Sequence, residues 1–191
     1  MNSYKIGVFG SAEGDLEKII PKAHQLGEAL GGKNVTILTG ASIGLPYEVA
    51  LTAHNLGTEI WGYSQFTNYK DQLEKLRNNC DPTIFHKLFY VPKDYEFASN
   101  YNVTRKYRNV SSTANCDAGI IISGRWGTMN EFTNLHDMGK VVGVLTGTGG
   151  IADELPSLMK KINKPSKAKV IFNDDPEKLV DEVLKTLSSR T

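Results

Sequence analysis

Short apolar runs rich in β-branched residues alternate with longer amphipathic segments along the whole chain. The runs predict buried strands, and segments whose apolar residues lie three or four positions apart predict helices. The predicted strands, in chain order, are KIGVFG (5–10), VTILTG (35–40), TEIWGY (58–63), KLFYVP (87–92), AGIIIS (118–123), VVGVLT (141–146) and AKVIF (168–172). Strands as continuously apolar as these are typical of a parallel sheet that is covered on both faces.

The predicted helices fill the gaps between these strands. They run from Asp15 to Leu30, from about Leu45 to Leu56, from about Ala98 to Asn115, from about Thr128 to Met138, and through two later segments, of which the last ends at Ser188. Asp15 fits an N-cap, and Gly31 with Gly32 fits a helix stop. The polar stretch from Ser64 to His86 is less regular and predicts an insertion, or a surface helix with loops.

This alternation predicts an α/β protein with a Rossmann-like, three-layer α/β/α architecture and a mostly parallel sheet. No repeat, low-complexity tract or linker divides the 191 residues, so we expect one nucleotide-binding domain over 1–191. In such a sheet, ligands bind outside the carboxyl ends of the strands. The turns after Phe9, Leu38 and Ile122 are therefore the first places to look for a site.

Composition and charge narrow the classes of function. The 22 basic and 21 acidic residues leave a net charge of +1, which argues against a nucleic-acid partner. Cys80 and Cys116 form no CxxC pair and have no histidine at metal spacing, so we expect neither a disulfide framework nor a metal site. We find no targeting leader and no apolar run of about 20 residues, and therefore expect a cytoplasmic protein without a membrane partner.

The first two glycine-bearing turns offer groups that can bind an anion. FGSAEGD places Gly10 and the Ser11 hydroxyl before a helix, whose free N–H groups favour negative charge. TGASIGLPYEVA places Gly40 and Gly44 on either side of Ser42. Plain strand-to-helix turns, with tight packing at Gly44, are the competing interpretation. The first turn lacks the three-glycine dinucleotide fingerprint, so an NAD-dependent oxidoreductase is disfavoured.

The third turn, within CDAGIIISGRWGTMNEF, has the clearest pattern. Gly124 and Gly127 bracket it, and Thr128 fits an N-cap whose hydroxyl can face an anion. Glu131 follows one helical turn later. A near-capping-box arrangement that serves only helix stability is the alternative for Thr128 and Glu131. We interpret Asp117, before the strand, as a structural residue.

The segment RNVSSTANCDAGIIISGRWGTMNE resembles the signature of the LONELY GUY family, long described as lysine-decarboxylase-like proteins. That signature is an arginine, Asp-Ala before a strand, and then Pro-Gly-Gly-x-Gly-Thr-x-x-Glu. The residues in register with it are Arg108, Asp117, Ala118, Gly124, Gly127, Thr128 and Glu131. The first two turns also fit, and the order of elements agrees except around 64–86. The departures are Asn109 for a lysine, Ser123 for the proline, Arg125 for the second glycine, and Asn130 for a frequent second glutamate.

The resemblance implies hydrolysis of the N-glycosidic bond of nucleoside 5′-monophosphates, with no cofactor and no metal. Glu131 would stabilise a cation-like sugar and orient water. Arg108 would act through charge and hydrogen bonds, because a guanidinium does not give up its proton at ordinary pH. The nucleotide would lie against Gly10, Ser11, Gly40, Ser42, Gly44, Gly124, Gly127 and Thr128. Because the family usually dimerises, we expect a homodimer or a higher homo-oligomer.

A non-catalytic nucleotide or cofactor carrier is the main alternative. Arg125 in the turn, together with Asn130, favours a carrier, whereas Glu131 with Arg108 favours an enzyme. Arg125 could crowd the phosphate or grip it with its guanidinium. Arg108 could also be an ordinary solvated helix residue in the basic run TRKYRN. Lysine decarboxylase activity is disfavoured, since no lysine has the surroundings of a Schiff base, and Trp126 alone among the aromatic residues could stack on a base.

Overall fold

The computed structural model describes residues 3–14, 16–76, 80–162 and 164–190. Its strands are β1 (Tyr4–Gly10), β2 (Val35–Thr39), β3 (Glu59–Tyr63), β4 (Lys87–Phe89), β5 (Ala118–Ile122), β6 (Val141–Leu145) and β7 (Lys169–Asn173). Its α-helices are α1 (Ile20–Leu30), α2 (Leu45–Asn55), α3 (Tyr69–Leu76), α4 (Tyr101–Asn115), α5 (Trp126–Asp137), α6 (Gly150–Lys161) and α7 (Pro176–Ser188), and a short 3-10 helix covers Pro82–Ile84.

The sheet is parallel throughout, with the strands in the order β4-β3-β2-β1-β5-β6-β7. The chain runs outward from β1 to β4, and then crosses back to place β5 on the other side of β1. The order of the strands therefore reverses between β1 and β5, where Gly10 pairs with Ile122. Ligands of open α/β sheets bind outside the strand ends at such a reversal. The predicted Rossmann-like α/β fold is confirmed.

Each face of the sheet has its own apolar core, because successive strand side chains point to opposite faces. Ile6 and Val8 of β1 belong to a core that includes apolar residues of α1, α2 and α7. Phe9 of β1 and Ile121 of β5 belong to the second core, with residues of α5 and α6. Together the sheet and its two helical layers give the predicted three-layer arrangement.

Two helices begin later in the chain than the sequence predicts. α1 begins at Ile20, after a turn in which the N–H groups of Ile19 and Ile20 donate to the carbonyl of Leu16. The predicted cap at Asp15 lies outside the described residues. α4 begins at Tyr101, because the Asn100 side chain accepts from the N–H groups of the first turn. The polar stretch 64–86 contains α3 and the 3-10 helix, which agrees with the predicted alternative of a helix with loops.

The start of α5 corrects the predicted role of Thr128. The helix begins at Trp126 with Arg125 at the N-cap, and no side chain makes a capping hydrogen bond there. Thr128 lies inside the first turn, so its prediction as the cap was wrong. Asp117 fulfils its structural prediction, since its carboxylate accepts from the N–H of Lys5 at 2.8 Å and ties β5 to β1. No described helix is both long enough and apolar enough to span a bilayer.

Candidate functional site

A cleft of about 310 Å³ opens at the carboxyl edge of the sheet, where the strand order reverses. Turns after β1 and β2 form one side, and α4 and α5 contribute charged side chains. The predicted site residues that line it are Gly10, Gly40, Ser42, Arg108 and Glu131. Cavities of a few hundred Å³ are the usual size for small ligands. The cleft is therefore the candidate site.

A buried ion pair lies at the inner end of this cleft. Nη2 of Arg108 on α4 is 3.8 Å from Oε1 of Glu131 on α5, and the two side chains are only 14% and 8% exposed. Nη1 of Arg108 donates to the carbonyl of Gly40 at 3.1 Å. A Cβ at position 40 would lie 2.7 Å from the same nitrogen, so glycine lets the guanidinium approach the β2–α2 turn. The solvated-helix alternative for Arg108 does not hold.

Burial makes Glu131 chemically unusual. Desolvation raises the pKa of its carboxyl to about 7, although the charges of Arg108 and Lys106 act to lower it. Desolvation also lowers the pKa of the Arg108 guanidinium, with Glu131 opposing that effect. A carboxyl that titrates near neutral pH can both accept and donate a proton under ordinary conditions. The pair therefore combines a fixed cation with a proton-exchanging group.

Asn109 fixes the orientation of this pair. Its Oδ1 accepts hydrogen bonds from Nε and Nη2 of Arg108, at 3.3 and 3.0 Å. Its Nδ2 donates to the carbonyl of Gly127 at 3.4 Å and to Oδ1 of Asn130 at 3.2 Å. The buried amide thus connects the guanidinium to the first turns of α5. The sequence presents Asn109 and Asn130 as separate departures, and the packing of α4 on α5 makes them partners.

The β5–α5 turn has a backbone that a proline at position 123 could not adopt. Ser123 has φ of 54°, whereas proline is fixed near −65°. The N–H of Ser123, which a proline would lack, donates to Oγ1 of Thr148 at 2.8 Å. A proline at position 123 would therefore require a different chain path in this turn.

The same turn is held by its two neighbouring turns. The N–H of Gly124 donates to Oγ of Ser11 at 3.0 Å. The carbonyls of Gly124 and Ser123 accept from the N–H groups of Ile151 and Ala152 in the first turn of α6, at 2.8 and 3.2 Å. Ser11 and Gly124 thus already make internal hydrogen bonds, and the start of α6 is occupied by the turn.

The start of α5 is open by comparison. Because no side chain caps this helix, the N–H groups of Trp126, Gly127 and Thr128 have no capping acceptor among the described residues. A Cβ built at Gly127 would meet no atom within 4 Å. At Gly124, which has φ of 106°, an added Cβ would overlap the Thr128 side chain. Free N–H groups at a helix start favour an oxyanion.

Two further predicted residues do not line the cleft but contact residues that do. Arg125 is exposed, and its Nη2 is 2.8 Å from Oε2 of Glu13, with 63% and 75% of the two side chains accessible to solvent. Gly44 has φ of 106°, and a Cβ there would lie 2.3 Å from the Cα of Ala12. The competing interpretation of Gly44, tight packing between turns, describes this contact. Trp126 is 81% exposed.

Sequence reasoning missed four polar lining residues, namely Glu13, Gln65, Lys75 and Arg105. Arg105 had a usable signal, since it lies three positions before Arg108 and so shares its helix face. Lys75 had none, because its segment is the irregular stretch 64–86. Among the described residues, no three His, Cys, Asp or Glu side chains group as a metal site would require.

The model of the SLOG cluster4 family matches residues 3–180. The chain belongs to the SLOG cluster4 family. The predicted resemblance is confirmed at this broader level, whereas membership of the LONELY GUY family itself stays a prediction. A comparison with the curated proteins found no match.

Solved structures share the fold of this SLOG protein at low identity. TM1055 aligns with a TM-score of 0.75 and 17% identity, covering 95% of this chain and 99% of its own. The molybdenum cofactor binding protein of Rippkaea orientalis gives 0.69 and 17%, covering 98% and 99%. DNA processing protein A of Helicobacter pylori, described for its single-stranded DNA binding mode, gives 0.63 and 15%, covering 97% and 82%.

Proposed function

We propose that the cleft binds a nucleoside 5′-monophosphate and that the protein hydrolyses its N-glycosidic bond, as the LONELY GUY resemblance implies. The observation that carries this proposal is the buried Arg108–Glu131 pair at the inner end of the cleft. Ionised Glu131 would stabilise positive charge on the ribose. Because Glu131 is buried, the local dielectric constant is lower than that of water, and this strengthens the interaction.

The bond changes are those of a hydrolysis. A water oxygen bonds to C1′ of the ribose, and the bond between C1′ and the base nitrogen breaks with its electron pair going to the base. Glu131 accepts the proton that the water loses and later releases it to solvent, and the departing base nitrogen takes up a proton from solvent. The products are ribose 5-phosphate and the free base. A carboxyl whose pKa is about 7 suits this exchange at neutral pH.

The start of α5 is the proposed position of the 5′-phosphate. Its uncapped N–H groups and the open space before Gly127 favour an oxyanion. Arg108, held by Asn109 and by the Gly40 carbonyl, would orient the ribose or the departing base. Gly10, Gly40 and Ser42 would form the facing wall. No cofactor takes part in this scheme.

A carrier that retains a phosphorylated ligand without turnover is the second candidate. It is favoured by Arg125 of the β5–α5 turn, which pairs with the lining residue Glu13, and by the shared fold with a molybdenum cofactor binding protein. DNA processing protein A, which binds single-stranded DNA, also shares the fold, so the prediction that this protein has no nucleic-acid partner is not supported. The cytoplasmic location and the homo-oligomeric state stay predictions.

The deciding experiment incubates the purified protein with nucleoside 5′-monophosphates and with the matching nucleosides, and follows free base and ribose 5-phosphate by chromatography. Glu131→Gln removes the proposed catalytic carboxylate. Glu13→Gln is the matched control, because it removes an exposed carboxylate from the same cleft. We expect release from the monophosphates only, a loss of about a hundredfold or more in Glu131→Gln, and a change within about threefold in Glu13→Gln.

Binding is measured on the same samples by calorimetry and by recovery of the ligand after gel filtration. Nucleotide that binds and is recovered intact from the wild-type protein would overturn the hydrolase and support the carrier. Failure of every nucleotide to bind would overturn both the hydrolase and a nucleotide carrier, and would leave only a carrier of another phosphorylated cofactor.

A further inference from the structure

Cationic side chains continue from the Arg108–Glu131 pair toward the mouth of the cleft. Arg105 precedes Arg108 by three positions on α4, which places it on the same helix face about 4.5 Å along the axis. Lys75, at the end of α3, reaches the cleft from another side. Arg108, Arg105 and Lys75 all line it. A ligand in the cleft therefore meets positive charge at two positions, one at Arg108 and the other at Arg105 and Lys75.

Lys75 is held in position by aromatic rings. Its Nζ lies 4.2 Å from the centre of the Tyr101 ring and 5.6 Å from that of Phe66. Tyr101 precedes Arg105 by one helical turn, so Lys75 sits over the same face of α4. Contacts of a cation with ring faces restrict an otherwise mobile side chain. The ammonium is thus placed at the mouth of the cleft without a carboxylate.

The positive charges of Lys75 and Arg105 are uncompensated within the described part of the chain. Neither forms an ion pair there, although Lys70 on the same helix as Lys75 pairs with Glu74. The two carboxylates that line the cleft pair with other cations, Glu131 with Arg108 and Glu13 with Arg125. Desolvation lowers the pKa of Arg108, and the charge of Arg105 lowers it further. An anionic ligand would relieve this repulsion.

We propose that Lys75 and Arg105 form a second anion-binding position, so that the preferred nucleotide carries a phosphoryl group in addition to its 5′-phosphate. This inference rests on the proposed nucleotide site. One phosphate would lie at the start of α5, and the other at the mouth between α3 and α4. The additional phosphoryl group can be attached to the ribose, as in a nucleoside 3′,5′-bisphosphate, or to the first phosphate, as in a diphosphate.

The test measures by calorimetry, at physiological ionic strength, how tightly adenosine 5′-monophosphate, adenosine 3′,5′-bisphosphate and adenosine 5′-diphosphate bind. The variants are Lys75→Met and Arg105→Met, and Lys106→Met is the control because Lys106 is exposed on α4 but does not line the cleft. We expect one of the two doubly phosphorylated ligands to bind the wild-type protein about tenfold tighter than the monophosphate. The ligand that binds more tightly than the monophosphate shows whether the additional phosphoryl group is attached to the ribose or to the first phosphate.

Lys75→Met and Arg105→Met should each remove most of that preference and leave monophosphate binding within about threefold. Lys106→Met should keep the preference. The inference is overturned if the wild-type protein shows no preference, if both cleft variants retain it, or if Lys106→Met loses it equally. Monophosphate binding without a preference would overturn this inference alone, whereas no binding of any of the three would overturn an adenine nucleotide site as well.

Discussion

Two Arg–Glu ion pairs contribute carboxylates to the lining of the cleft, and they differ in almost every physical respect. Arg125 and Glu13 are 2.8 Å apart at the exposed mouth, whereas Arg108 and Glu131 are 3.8 Å apart and buried. The shorter pair is well hydrated, so its attraction is screened and contributes little. The longer pair is buried, so water screens it much less, and removing either partner leaves an unpaired buried charge. Burial, and not distance, separates the proposed catalytic pair from the peripheral one.

The surroundings of the two pairs reinforce this difference. Arg108 makes hydrogen bonds to Asn109 and to the carbonyl of Gly40, so its guanidinium is held both by its own helix and by the β2–α2 turn. Arg125 has Glu13 as the only hydrogen-bonding partner of its side chain within the described residues. A preorganised charge stabilises a transition state without rearrangement, whereas a solvated one must first be ordered. Catalysis or firm retention is therefore expected to depend on the inner pair.

The largest effect is expected from Arg108→Met, which leaves Glu131 buried without its cation. We expect the free energy of unfolding to fall by about 3 kcal/mol near pH 8, and by less near pH 5.5. Because the folded pKa of Glu131, about 7, lies above its ordinary value of 4.5, wild-type stability falls as pH rises between these values and levels off above them. Without Arg108 the folded pKa rises further, so the fall continues to higher pH.

Urea unfolding at the two pH values measures this penalty. Arg125→Met is the matched control and should change stability by less than about 0.5 kcal/mol at either pH. Equal losses in the two variants, or an Arg108→Met penalty that does not grow with pH, would contradict the distinction between the pairs.

A smaller loss is expected from Asn109→Leu. This substitution removes the acceptor of two Arg108 N–H groups and the donor to Gly127 and Asn130. Unsatisfied buried polar groups destabilise by about 1–3 kcal/mol. If Asn109 also positions Arg108 for substrate, kcat should fall more than nucleotide affinity does.

Asn130→Leu provides the matched comparison, because it removes one of these contacts and leaves the Asn109–Arg108 bonds intact. Urea unfolding and steady-state kinetics on both variants decide the matter. A loss of kcat in Asn130→Leu as large as that in Asn109→Leu would assign the effect to the α4–α5 contact and not to the orientation of Arg108.

A titration effect without much change in stability is expected from Lys106→Met. The charge of Lys106 lowers the pKa of Glu131, so its removal should raise that pKa, and by less than Arg108→Met does. Carbon-13 NMR of the Glu131 carboxyl measures this directly, and the acid limb of kcat/KM should move in the same direction. Arg125→Met should leave the Glu131 titration in place. A shift in Arg125→Met as large as that in Lys106→Met would show that the outer pair acts on the inner one.

The fold was predictable because its signals are local, whereas the site depends on contacts between distant segments. Alternating apolar runs and amphipathic segments predict the parallel sheet and nearly every element, from β1 to α7. The start of α1 was misplaced because Leu16 and Ile19 continue the helical spacing and pack on the core while their backbone forms a turn. The strand order, with its reversal between β1 and β5, is a tertiary property that periodicity does not contain.

In the site, the sequence identified Arg108 and Glu131 but not what holds them. Asn109 stood out only as a departure from a family pattern, and its contact with Asn130 depends on how α4 packs against α5. Thr128 matched the preference for an N-cap. However, Ser123 and Gly124 turn the chain with positive φ, and α5 begins at Trp126, two residues before the predicted start at Thr128. Positive φ at Ser123 could not be foreseen, because serine rarely adopts it without a fixing contact such as the one to Thr148.

The smallest effect is expected at the outer pair itself, from Glu13→Gln. The exposed pair contributes roughly 0.5 kcal/mol or less to folding, and less again at high salt. Its larger consequence would be on the ligand, because Arg125 must leave Glu13 before its guanidinium can reach a phosphate at the start of α5. If Arg125 grips the phosphate, Glu13→Gln should raise nucleotide affinity by about two- to threefold at low salt, and Glu13→Gln combined with Arg125→Met should lose that gain. Calorimetry at low and high ionic strength measures both. A fall in affinity on Glu13→Gln, restored by the added Arg125→Met, would mean that the released guanidinium crowds the phosphate position, and that the outer pair keeps Arg125 out of the site.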